Sequence, residues 1–376
     1  MKVLHLIGGK EIAGSKNHLL SLLKNFNKEE VILGVFEKGI IYDEAKALGI
    51  DVRYLGQKTR YDFSVLFALK TLIKKEGVTI LHTHGPRANL YGYFVRKTEN
   101  IIWTTTVHSD PRFDFIGRGI KGKLFTLLNL FVLKKVNHCF AISNRFSQML
   151  RELKVNCRIT TIYNGISFSE NHELYYNQAE LSLSKKDFVM IMVGRLHPIK
   201  GHVVVFEAIK NIKDKIPNIK LLIVGDGPIK EELERKVVEC DIDDHVMFLG
   251  FQPEQKIHSL LKLSDVFVLS SYSESFPLVV LEASRAKVPV ISTDVGGVKD
   301  LIVDNSLGWV IPPKDVKSLE GAMLNAYEMK DQLENIGENL YKKAENKYSV
   351  KQLFEAVNAA YKELMEEKDQ LFNALK

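Results

Sequence analysis

Cysteine is scarce in this sequence, since the 376 residues contain only 3. They stand far apart at Cys139, Cys157 and Cys240, an odd number without the spacing of a metal site. This pattern excludes a disulfide or zinc scaffold and is typical of proteins in a reducing compartment. We therefore expect a cytoplasmic protein that is held together by its hydrophobic cores.

Long apolar runs are also lacking. The apolar stretch 125–133 is far shorter than the about 20 residues that a membrane-spanning helix needs. Residues 1–7 are mostly apolar but are followed at once by Gly8 and Gly9, so they predict a first β-strand and not a signal peptide. With 45% hydrophobic and 26% charged residues, the composition is that of a globular protein. The length predicts two domains, each able to bury its own core.

Charge is unevenly distributed along the chain, although the net charge is only +6. Residues 1–170 carry 26 Lys and Arg against 14 Asp and Glu, a net +12, whereas residues 171–376 carry 26 against 32, a net −6. This asymmetry suggests two domains with different partners. The alternative, that surface charge merely drifts between domains, stays open at this point.

Short apolar runs alternate with helical patterns in both halves of the chain. In the first half we expect strands at 3–7, 31–36, 52–55, 78–82, 101–107, 138–142 and 159–163. In the second half we expect them at 188–193, 220–224, 246–249, 266–269, 288–291 and 308–311. Apolar strands that alternate with helices indicate parallel sheets covered on both faces. The pattern therefore predicts two doubly wound α/β domains with a polar linker at 171–184.

Cations follow the first predicted strand of the second half. Gly194 and Arg195 come directly after residues 188–193, and Lys200 stands five residues further on. Ligands of open parallel sheets bind beyond the carboxyl ends of the strands. An arginine fork and a lysine point charge at this place suit a diphosphate. A helix-initiating turn with solvated cations is the alternative.

Two glutamates frame the next candidate element, after the predicted strand 266–269. Pro277 suits the first position of a helix, and the N–H groups of Leu278 and Val279 would then form an anion site. Glu274 stands in the loop before this helix and Glu282 lies inside it. Carboxylates accept hydrogen bonds from vicinal hydroxyls, so one glutamate could hold a hexose and the other a ribose. An amphipathic helix with two surface acids explains Glu282 poorly, because its neighbours are apolar.

Four segments in this order resemble glycosyltransferase family 4, the retaining, nucleotide-sugar-dependent enzymes of GT-B fold. The resemblance spans essentially the whole chain and is strongest over residues 188–313. It implies two Rossmann-like domains that face each other across a cleft. The segments that carry it are Gly194–Gly201, Ile223–Pro228, Val246–Phe251 and Glu274–Glu282 with the following Pro289–Gly297.

The resemblance implies a role for each matching residue. Arg195 and Lys200 would bind the donor diphosphate beside Gly194, and Glu274 would contact the transferred sugar. Glu282 would contact the ribose, and Phe251 would lie near the base. Backbone N–H groups around Ser275, Phe276, Leu278 and Val279 would orient sugar and phosphate. This sequence has Pro277 where many relatives have Gly, which excludes a phosphate contact from the N–H of residue 277.

In the first half, the resemblance points to a glycine loop and a histidine. Gly14 would bring its backbone close to the donor phosphate, whereas Lys16 stands where relatives have Glu, which puts the acceptor-side role of that position in doubt. A plain strand-to-helix turn is the alternative for this loop. His108 resembles the family histidine that faces the reacting sugar. With Arg195, Lys200 and Glu274 it forms the predicted catalytic set.

The predicted domains are residues 1–170, which bind the acceptor and include a returning helix at about 351–376, and residues 171–350, which bind the donor. The resemblance implies a hexosyltransferase that moves a sugar from a nucleoside diphosphate sugar to an acceptor hydroxyl with retention. The product would be a cell-surface polysaccharide, a glycolipid or a related glycoconjugate. A UDP-sugar is the expected donor, and no cofactor or metal is expected. A GT-B sugar-nucleotide epimerase and a catalytically silent sugar-nucleotide-binding protein are the alternatives.

Three motifs suggest other chemistry but lack its context. His82 and His84 have metal-like spacing without an evident third ligand. The Asp241–Asp243 segment lies in a predicted turn. The Gly225–Gly227 segment resembles part of a dinucleotide fingerprint but lacks its last glycine and its acidic residue.

Basic and aromatic residues cluster between Arg87 and Lys135, with nine cations against three acids. Such a surface suits the inner face of an anionic membrane or a lipid-linked acceptor. A merely solvated basic surface is the alternative. No signature of an RNA- or DNA-binding fold accompanies the charge, so we expect no nucleic-acid partner.

Overall fold

The computed structural model describes residues 1–10, 14–59, 62–169 and 175–374. The chain forms two compact units: unit 1 comprises Met1–Gly165 and Val350–Lys376, and unit 2 comprises Ile166–Ser349. Acceptor binding by the first unit and donor binding by the second stay predictions.

Unit 1 is built on a seven-stranded parallel sheet with the order β3-β2-β1-β4-β5-β6-β7. The order reverses between β1 and β4, which is the switch point of a doubly wound fold. The inner strands are apolar and buried, as a sheet covered on both faces requires. The strands are β1 (Val3–Ile7), β2 (Val31–Val35), β3 (Val52–Tyr54), β4 (Ile80–His84), β5 (Ile102–Val107), β6 (His138–Ala141) and β7 (Arg158–Thr161).

Within the described part of unit 1, six helices alternate with these strands. Two helix ends show ordinary capping: Ser143 accepts a hydrogen bond from the N–H of Phe146, and Gly77 ends its helix in the left-handed conformation. The helices are α1 (Gly14–Leu23), α2 (Ile40–Ala47), α3 (Val65–Glu76), α4 (Gly85–Arg96), α5 (Gly119–Leu133) and α6 (Asn144–Glu152).

Unit 2 repeats this plan with a six-stranded parallel sheet of order β10-β9-β8-β11-β12-β13. Its switch point lies between β8 and β11. The strands are β8 (Phe188–Val193), β9 (Ile219–Val224), β10 (Val246–Gly250), β11 (Val266–Leu269), β12 (Val290–Thr293) and β13 (Trp309–Ile311). The helices are α7 (His202–Ile212), α8 (Lys230–Glu239), α9 (Glu254–Lys262), α10 (Leu278–Arg285), α11 (Val298–Leu301), α12 (Val316–Glu328) and α13 (Leu333–Tyr348).

The last helix, α14 (Val350–Ala374), belongs to unit 1. Its apolar residues Leu353, Val357, Tyr361 and Leu364 lie in one core cluster with residues of β1, β2 and α1. The helical apolar period of the carboxyl-terminal segment is therefore used to close the core of unit 1. Among the described residues, no helix combines the length and apolar character needed to cross a bilayer.

The predicted alternation of strands and helices is confirmed, and two strands run two residues further than predicted. β4 was expected at 78–82 and runs to His84, and β12 was expected at 288–291 and runs to Thr293. Both continue through polar residues that are buried. Their side chains find buried hydrogen-bond partners: Thr293 Oγ1, for example, donates to the carbonyl oxygen of Ser271, in the loop after β11, at 2.6 Å. Polar side chains can be buried at little cost when they are hydrogen-bonded. A prediction based on apolar runs therefore ends these two strands too early.

Candidate active site

The cation after β8 is presented to solvent by a tightly held loop. Gly194 N–H donates to Val224 O at 2.9 Å, and Leu196 N–H donates to Asp226 O at 2.9 Å. Leu196 is fully buried and anchors the turn, whereas Arg195 between them is exposed. Among the described residues, no carboxylate or other hydrogen-bonding group pairs with the Arg195 guanidinium. Its five donors are therefore available to a ligand.

Two glycines after β9 allow this loop to form. A Cβ on Gly225 would lie 1.9 Å from the carbonyl oxygen of Gly194, and one on Gly227 would lie 2.1 Å from that of Leu196. Any side chain at either position would displace the loop that carries Arg195. The Gly225–Gly227 segment, which suggested a fragment of a dinucleotide fingerprint, therefore supports the cation loop.

Lys200 ends a short 3₁₀ turn, Pro198–Lys200, which begins at His197. Ser270 Oγ donates to the carbonyl oxygen of Lys200 at 2.9 Å, and Tyr272 N–H donates to Ile199 O at 2.7 Å. The residues that follow β11 thus hold the turn that follows β8. Because parallel strands end at the same edge of a sheet, the two loops meet there.

The same contact brings the predicted phosphate-binding and sugar-binding side chains together. Lys200 Nζ donates to Glu274 Oε1 at 2.6 Å, and Ser271 Oγ donates to the same oxygen at 2.7 Å. Both charged side chains are largely shielded, with 25% and 15% of their surfaces exposed. We predicted Lys200 and Glu274 for one site but not their ion pair, because nothing in the sequence relates side chains 74 positions apart.

Helix α10 begins at Leu278, with Pro277 as its N-cap (φ −78°, ψ 99°). The prediction that Pro277 is the first helical residue was wrong by one position. No side chain of the described residues caps this helix, and the N–H groups of Leu278 and Val279 have no acceptor among them. The predicted anion-binding backbone is thus unoccupied by the protein groups that the structure describes.

The turn before α10 is held from both sides. Ser275 is half-buried, and the ring of Phe276 is buried and stacks on Tyr348 at 5.5 Å. A Cβ on Gly296 would lie 3.0 Å from Glu274 Cβ and from the backbone of Ser275. The side chain of Phe276 therefore packs in the core, and only its backbone can serve a ligand.

Glu282 lies one turn inside α10 and is half-buried. Burial, with a smaller contribution from Glu254, raises the pKa of this carboxyl to about 7, although Arg285 acts in the opposite direction. A carboxyl with this pKa changes protonation near neutrality. Hydroxyl groups that donate hydrogen bonds to its ionised form would favour that form and lower its pKa.

Phe251 follows β10 and is 78% exposed. Gly250 just before it accepts a hydrogen bond from Gly225 N–H at 2.8 Å, so the aromatic ring stands at the same edge as the cation loop. All predicted donor residues of unit 2 therefore lie at one edge of its sheet. Gly194, Arg195, Lys200, Phe251, Glu274, Ser275, Phe276, Leu278, Val279 and Glu282 form this group.

In unit 1, Gly14 is the first residue of α1. The preceding loop residues 11–13 lie outside the described residues, so the predicted phosphate contact of this loop stays a prediction. Lys16, which replaces the family's glutamate, is paired with Glu44 of α2, its Nζ lying 2.5 Å from Oε1. Its charge is therefore engaged within unit 1.

His108 follows β5 and is joined to other histidines. His84 Nδ1 lies 3.1 Å from His108 Nε2, and His5 Nδ1 lies 3.0 Å from His84 Nε2. The ring of His18 meets that of His108 edge-on at 5.0 Å, and His18 Nδ1 lies 2.7 Å from Asn164 Oδ1. We did not predict that His5 and His18 belong to this site. Their positions on β1 and α1, which precede and follow the glycine loop, were the only signal.

The structure places a third histidine, His5, beside His82 and His84. With His5 they form a group whose nitrogens lie within 4.8 Å of one another. Their rings are stacked, at 4.6 Å between His82 and His84 with 10° between planes. Each of these nitrogens already faces another side chain of the cluster, so a metal ion would have to displace the whole arrangement. The absence of a metal requirement stays a prediction.

Two family models match the chain, one in each half. The model Glycosyltransferase Family 4 matches residues 12–170, and the model Glycosyl transferases group 1 matches residues 177–343.

Two curated relatives match most of the chain. A UDP-Gal:alpha-D-GlcNAc-diphosphoundecaprenol alpha-1,3-galactosyltransferase of Escherichia coli is 29% identical over 280 residues, which cover 72% of this chain and 71% of the relative. An N-acetyl-alpha-D-glucosaminyl L-malate synthase of Bacillus anthracis is 28% identical over 289 residues, covering 74% and 73%.

Among solved structures, HepE of Anabaena in complex with UDP has a TM-score of 0.81 at 18% identity. The match covers 96% of this chain and 100% of HepE. HepE has also been solved with UDP-glucose. At this identity the likeness concerns the fold.

Proposed function

Because the chain belongs to the glycosyltransferases, with a Glycosyltransferase Family 4 half and a Glycosyl transferases group 1 half, we propose that it transfers a sugar from a nucleoside diphosphate sugar to an acceptor hydroxyl. The predictions of family, enzyme class and GT-B fold are confirmed. The observation that carries the proposal is the edge of unit 2. There Arg195, which has no partner among the described residues, stands beside the Lys200–Glu274 pair and the uncapped N-terminus of α10.

Arg195, Lys200 and the first N–H groups of α10 would stabilise the leaving diphosphate. Charge develops on that group as the bond to the sugar breaks, and donors fixed in advance do not need to reorganise. The two cations supply the charge that a divalent metal supplies in other phosphate sites. We therefore propose a reaction without a metal, which should continue in the presence of EDTA.

The Lys200–Glu274 pair suggests how donor binding assembles the site. When the diphosphate arrives, its oxygens compete with Glu274 for the Lys200 ammonium group. Glu274 Oε1, which now accepts from Lys200 and Ser271, would then be available to the hydroxyls of the transferred sugar. We propose that this exchange couples phosphate binding to sugar binding.

Retention of configuration is the finer part of the proposal. We assign no protein nucleophile. The acceptor hydroxyl would attack the anomeric carbon from the face that the diphosphate leaves, and the hydroxyl proton would pass to the leaving phosphate oxygen. One bond to the anomeric carbon forms as the other breaks, and the proton moves to the leaving group, so no covalent sugar–enzyme intermediate is needed.

A UDP-sugar is the proposed donor. The name of the Escherichia coli relative specifies UDP-Gal, and HepE was solved with UDP and UDP-glucose. The exposed Phe251 offers a ring on which a base can stack. Glu282 offers a carboxyl whose ionised form would accept hydrogen bonds from the vicinal ribose hydroxyls.

A lipid-linked acceptor is the proposed partner of unit 1. A cavity of about 480 Å³ lies between α4 and α5, beside the strand end that carries His84. Its wall is mostly apolar, with Arg87 and Arg118 among the polar residues. The lining residues are Phe63, Pro86, Arg87, Leu90, Tyr91, Asp114, Phe115, Arg118, Phe125, Leu128, Asn129 and Val132. Such a cavity suits the hydrocarbon part of a phosphate-bearing acceptor.

Helix α5 presents an apolar stripe to solvent beside this cavity. Ile120, Leu124, Leu127 and Phe131 recur at helical spacing, and their exposed fractions run from 88% for Ile120 to 48% for Phe131. Exposed stripes of this kind, flanked by lysines, are typical of helices that lie on a membrane surface. We propose that α5 contacts an anionic membrane peripherally, in the synthesis of a polysaccharide or glycolipid.

Ligand-dependent thermal shifts with UDP-, GDP- and ADP-sugars would test the donor. A ligand at 100 times its dissociation constant should add about 2.7 kcal/mol to the stability of the full chain. Transfer or slow hydrolysis of the stabilising donor is the expected activity. Conversion of the donor sugar without release of nucleotide would identify an epimerase, and binding without either reaction would identify a silent protein.

Vesicle flotation would test the membrane proposal separately. We expect binding to anionic but not to zwitterionic vesicles, and weaker binding after Ile120→Ser with Leu124→Ser. Val238 in α8 is 68% exposed, so Val238→Ser is the matched control. Equal flotation with both kinds of vesicle, or none, would remove this partner.

A further inference from the structure

A chain of hydrogen bonds crosses the interior of unit 1 and ends at His108. Thr106 Oγ1 lies 2.7 Å from His82 Nε2, and His82 Nδ1 contacts the hydroxyl of Tyr361. That hydroxyl lies 3.2 Å from His5 Nε2. His5 leads to His84 at 3.0 Å, and His84 leads to His108 at 3.1 Å. The chain thus joins β5, β4, α14 and β1.

The four imidazoles in this series of hydrogen bonds are neutral near pH 7. Burial lowers the pKa of His5 to about 3, and it lowers the pKa values of His82, His84 and His108 well below their usual range. A neutral imidazole has one N–H and one bare nitrogen. Each ring can therefore donate on one side only, and the direction of one bond dictates the direction of the next.

Thr106 decides which direction the chain takes. It is 1% exposed, and its hydroxyl has His82 Nε2 as its only hydrogen-bond partner among the described residues. If His82 donated to Thr106, the hydroxyl hydrogen would be buried without an acceptor, which proteins avoid. Thr106 therefore donates to His82 Nε2.

The remaining bonds follow from this one. His82 must then carry its hydrogen on Nδ1 and donate to Tyr361, and the Tyr361 hydroxyl must donate to His5 Nε2. His5 donates from Nδ1 to His84, and His84 donates from Nδ1 to His108 Nε2. The hydrogen of His108 is thereby placed on Nδ1. His108 is half-buried, and its Nδ1 has no partner among the described residues.

We propose that Thr106, His82, Tyr361, His5 and His84 act as positioning residues that hold His108 as an Nδ1–H hydrogen-bond donor toward the substrate. The inference rests on the proposed function, since it takes His108 as a residue of the site. The ligand group it implies is a hydrogen-bond-accepting oxygen of a sugar hydroxyl or phosphate. His108 in this tautomer cannot remove a proton through Nδ1, so it binds and orients and does not act as a general base there.

Through Tyr361, helix α14 also contributes to this chain of hydrogen bonds, which from here on is called the relay. Tyr361 lies far from His108 in the sequence and contributes the hydroxyl that links the two halves of the chain of bonds. Its ring packs in the core of unit 1. Removing the hydroxyl alone should therefore disturb the hydrogen-bond direction while leaving the packing in place.

Nitrogen-15 NMR of the full-length protein would test the proposal without any ligand. Ring nitrogens that carry hydrogen differ strongly in chemical shift from bare ones, and His108→Gln would assign the His108 signals. We expect one tautomer in the native protein, with hydrogen on His108 Nδ1. Tyr361→Phe should give both tautomers of His108 and lower the rate constant for transfer by about twofold, since about half of the molecules then hold the wrong tautomer.

Matched variants separate this role from a merely structural one. Tyr91 is another buried tyrosine of unit 1, bonded to Gln57 and to the carbonyl oxygen of Asp62, and Tyr91→Phe should leave the His108 nitrogens unchanged. If Tyr361→Phe does not fold, Thr106 offers a second pair. Thr106→Val should release the second tautomer of His108, whereas Thr106→Ser, which keeps the hydroxyl, should not.

Three outcomes would overturn the proposal: hydrogen on Nε2 of native His108, a charged His108 ring at pH 7, or unchanged His108 nitrogens in both Tyr361→Phe and Thr106→Val. None of these readouts depends on a donor or an acceptor. A failure of the relay is therefore distinguishable from a failure of the proposed transferase reaction, in which donor binding to unit 2 would be absent.

Discussion

The two units share one sheet plan, yet the carboxyl edges of their sheets carry opposite chemistry. In unit 1 the polar residues at the edge are neutral histidines, buried or half-buried, that are bonded to one another. In unit 2 they are Arg195, Lys200 and Glu274 on loops and Glu282 inside α10, and Arg195 extends into solvent. Both sheets reverse their strand order beside the first strand of the unit. The fold therefore provides a place for chemistry, and the residues at the strand ends decide its kind.

Desolvation explains the difference. His5, His82 and His84 of unit 1 stand inside strands β1 and β4, where burial disfavours the charged imidazolium form and lowers the pKa of each ring. Arg195 and Lys200 of unit 2 stand beyond the end of β8 at Val193, on a loop where water still reaches them. A side chain on a solvated loop keeps its charge, whereas a histidine inside the sheet is neutral and contributes through the direction of its hydrogen bonds.

Removing one loop cation should have the largest effect. Arg195→Ala should lower the transfer rate by roughly 10²–10³, the loss expected for a fixed donor at a developing negative charge. Steady-state assays with the donor that stabilises the protein would measure this loss. Arg235 is an exposed arginine of α8, and Arg235→Ala should be nearly neutral. Equal activity of the two variants would mean that the charged edge of unit 2 is not the donor site.

The loop that presents Arg195 can be broken without touching its charge. Gly225 has φ +140° and no room for a Cβ, so Gly225→Ala should destabilise unit 2 by at least about 1–3 kcal/mol. Chemical denaturation would measure the change. Gly321 lies in α12, where an added Cβ would meet nothing within 4 Å, and Gly321→Ala should stabilise by about 0.5–1 kcal/mol. A mild Gly225→Ala would contradict the close approach of the two loops.

The pH dependence of nucleotide binding should sharpen the contrast between the units. With a pKa of about 7, Glu282 is mostly protonated at pH 6 and mostly ionised at pH 8. If ribose hydroxyls donate to the ionised form, affinity for a UDP-sugar should be roughly tenfold higher at pH 8. The intact donor is the probe because the free terminal phosphate of UDP would itself titrate over this range. Calorimetric titrations at the two pH values would measure it, and Glu282→Gln should abolish the difference.

The same pKa predicts a stability effect of the opposite sign. A carboxyl whose pKa is higher in the folded than in the unfolded chain stabilises the fold at low pH, and this contribution is lost as the pH rises from about 4.3 toward 7. Without ligand, the melting temperature of the native protein relative to Glu282→Gln should therefore fall over this range. A constant difference would contradict the raised pKa.

The smallest effect is expected for the histidine edge of unit 1. In Glu282→Gln at saturating donor, the rate should change by less than about twofold between pH 6 and 8, because the low pKa of His108 keeps its ring neutral throughout. A loss of activity with a midpoint near 6.5 would show that a histidine of the site becomes charged, and the two edges would then not differ as described.

Local sequence patterns predicted most of the fold. β8 at Phe188–Val193 and β11 at Val266–Leu269 agree with the structure residue for residue, because short, fully buried apolar strands bounded by loops leave a direct signal in the sequence. The motifs proposed to bind the donor were also visible in the sequence, since each follows a strand in the order that the family shows.

Contacts between distant residues could not be predicted in the same way. The ion pair of Lys200 and Glu274 joins loops after β8 and β11, and the role of Gly225 was missed because its neighbour Gly194 is remote in sequence. Tyr361 meets His5 across 356 positions. Local periodicity carries no record of such pairs, whose geometry depends on how strands and helices assemble.

The sequence by itself determined the two α/β units, their family and the residue types at the strand ends. Apolar periodicity and ordered motifs are local properties, so they can be read before the chain is folded. Only the tertiary structure decided which of these residues meet, which are buried and which way their hydrogen bonds run. Burial sets the charge of a histidine or a glutamate, and burial exists only once distant segments have packed around it.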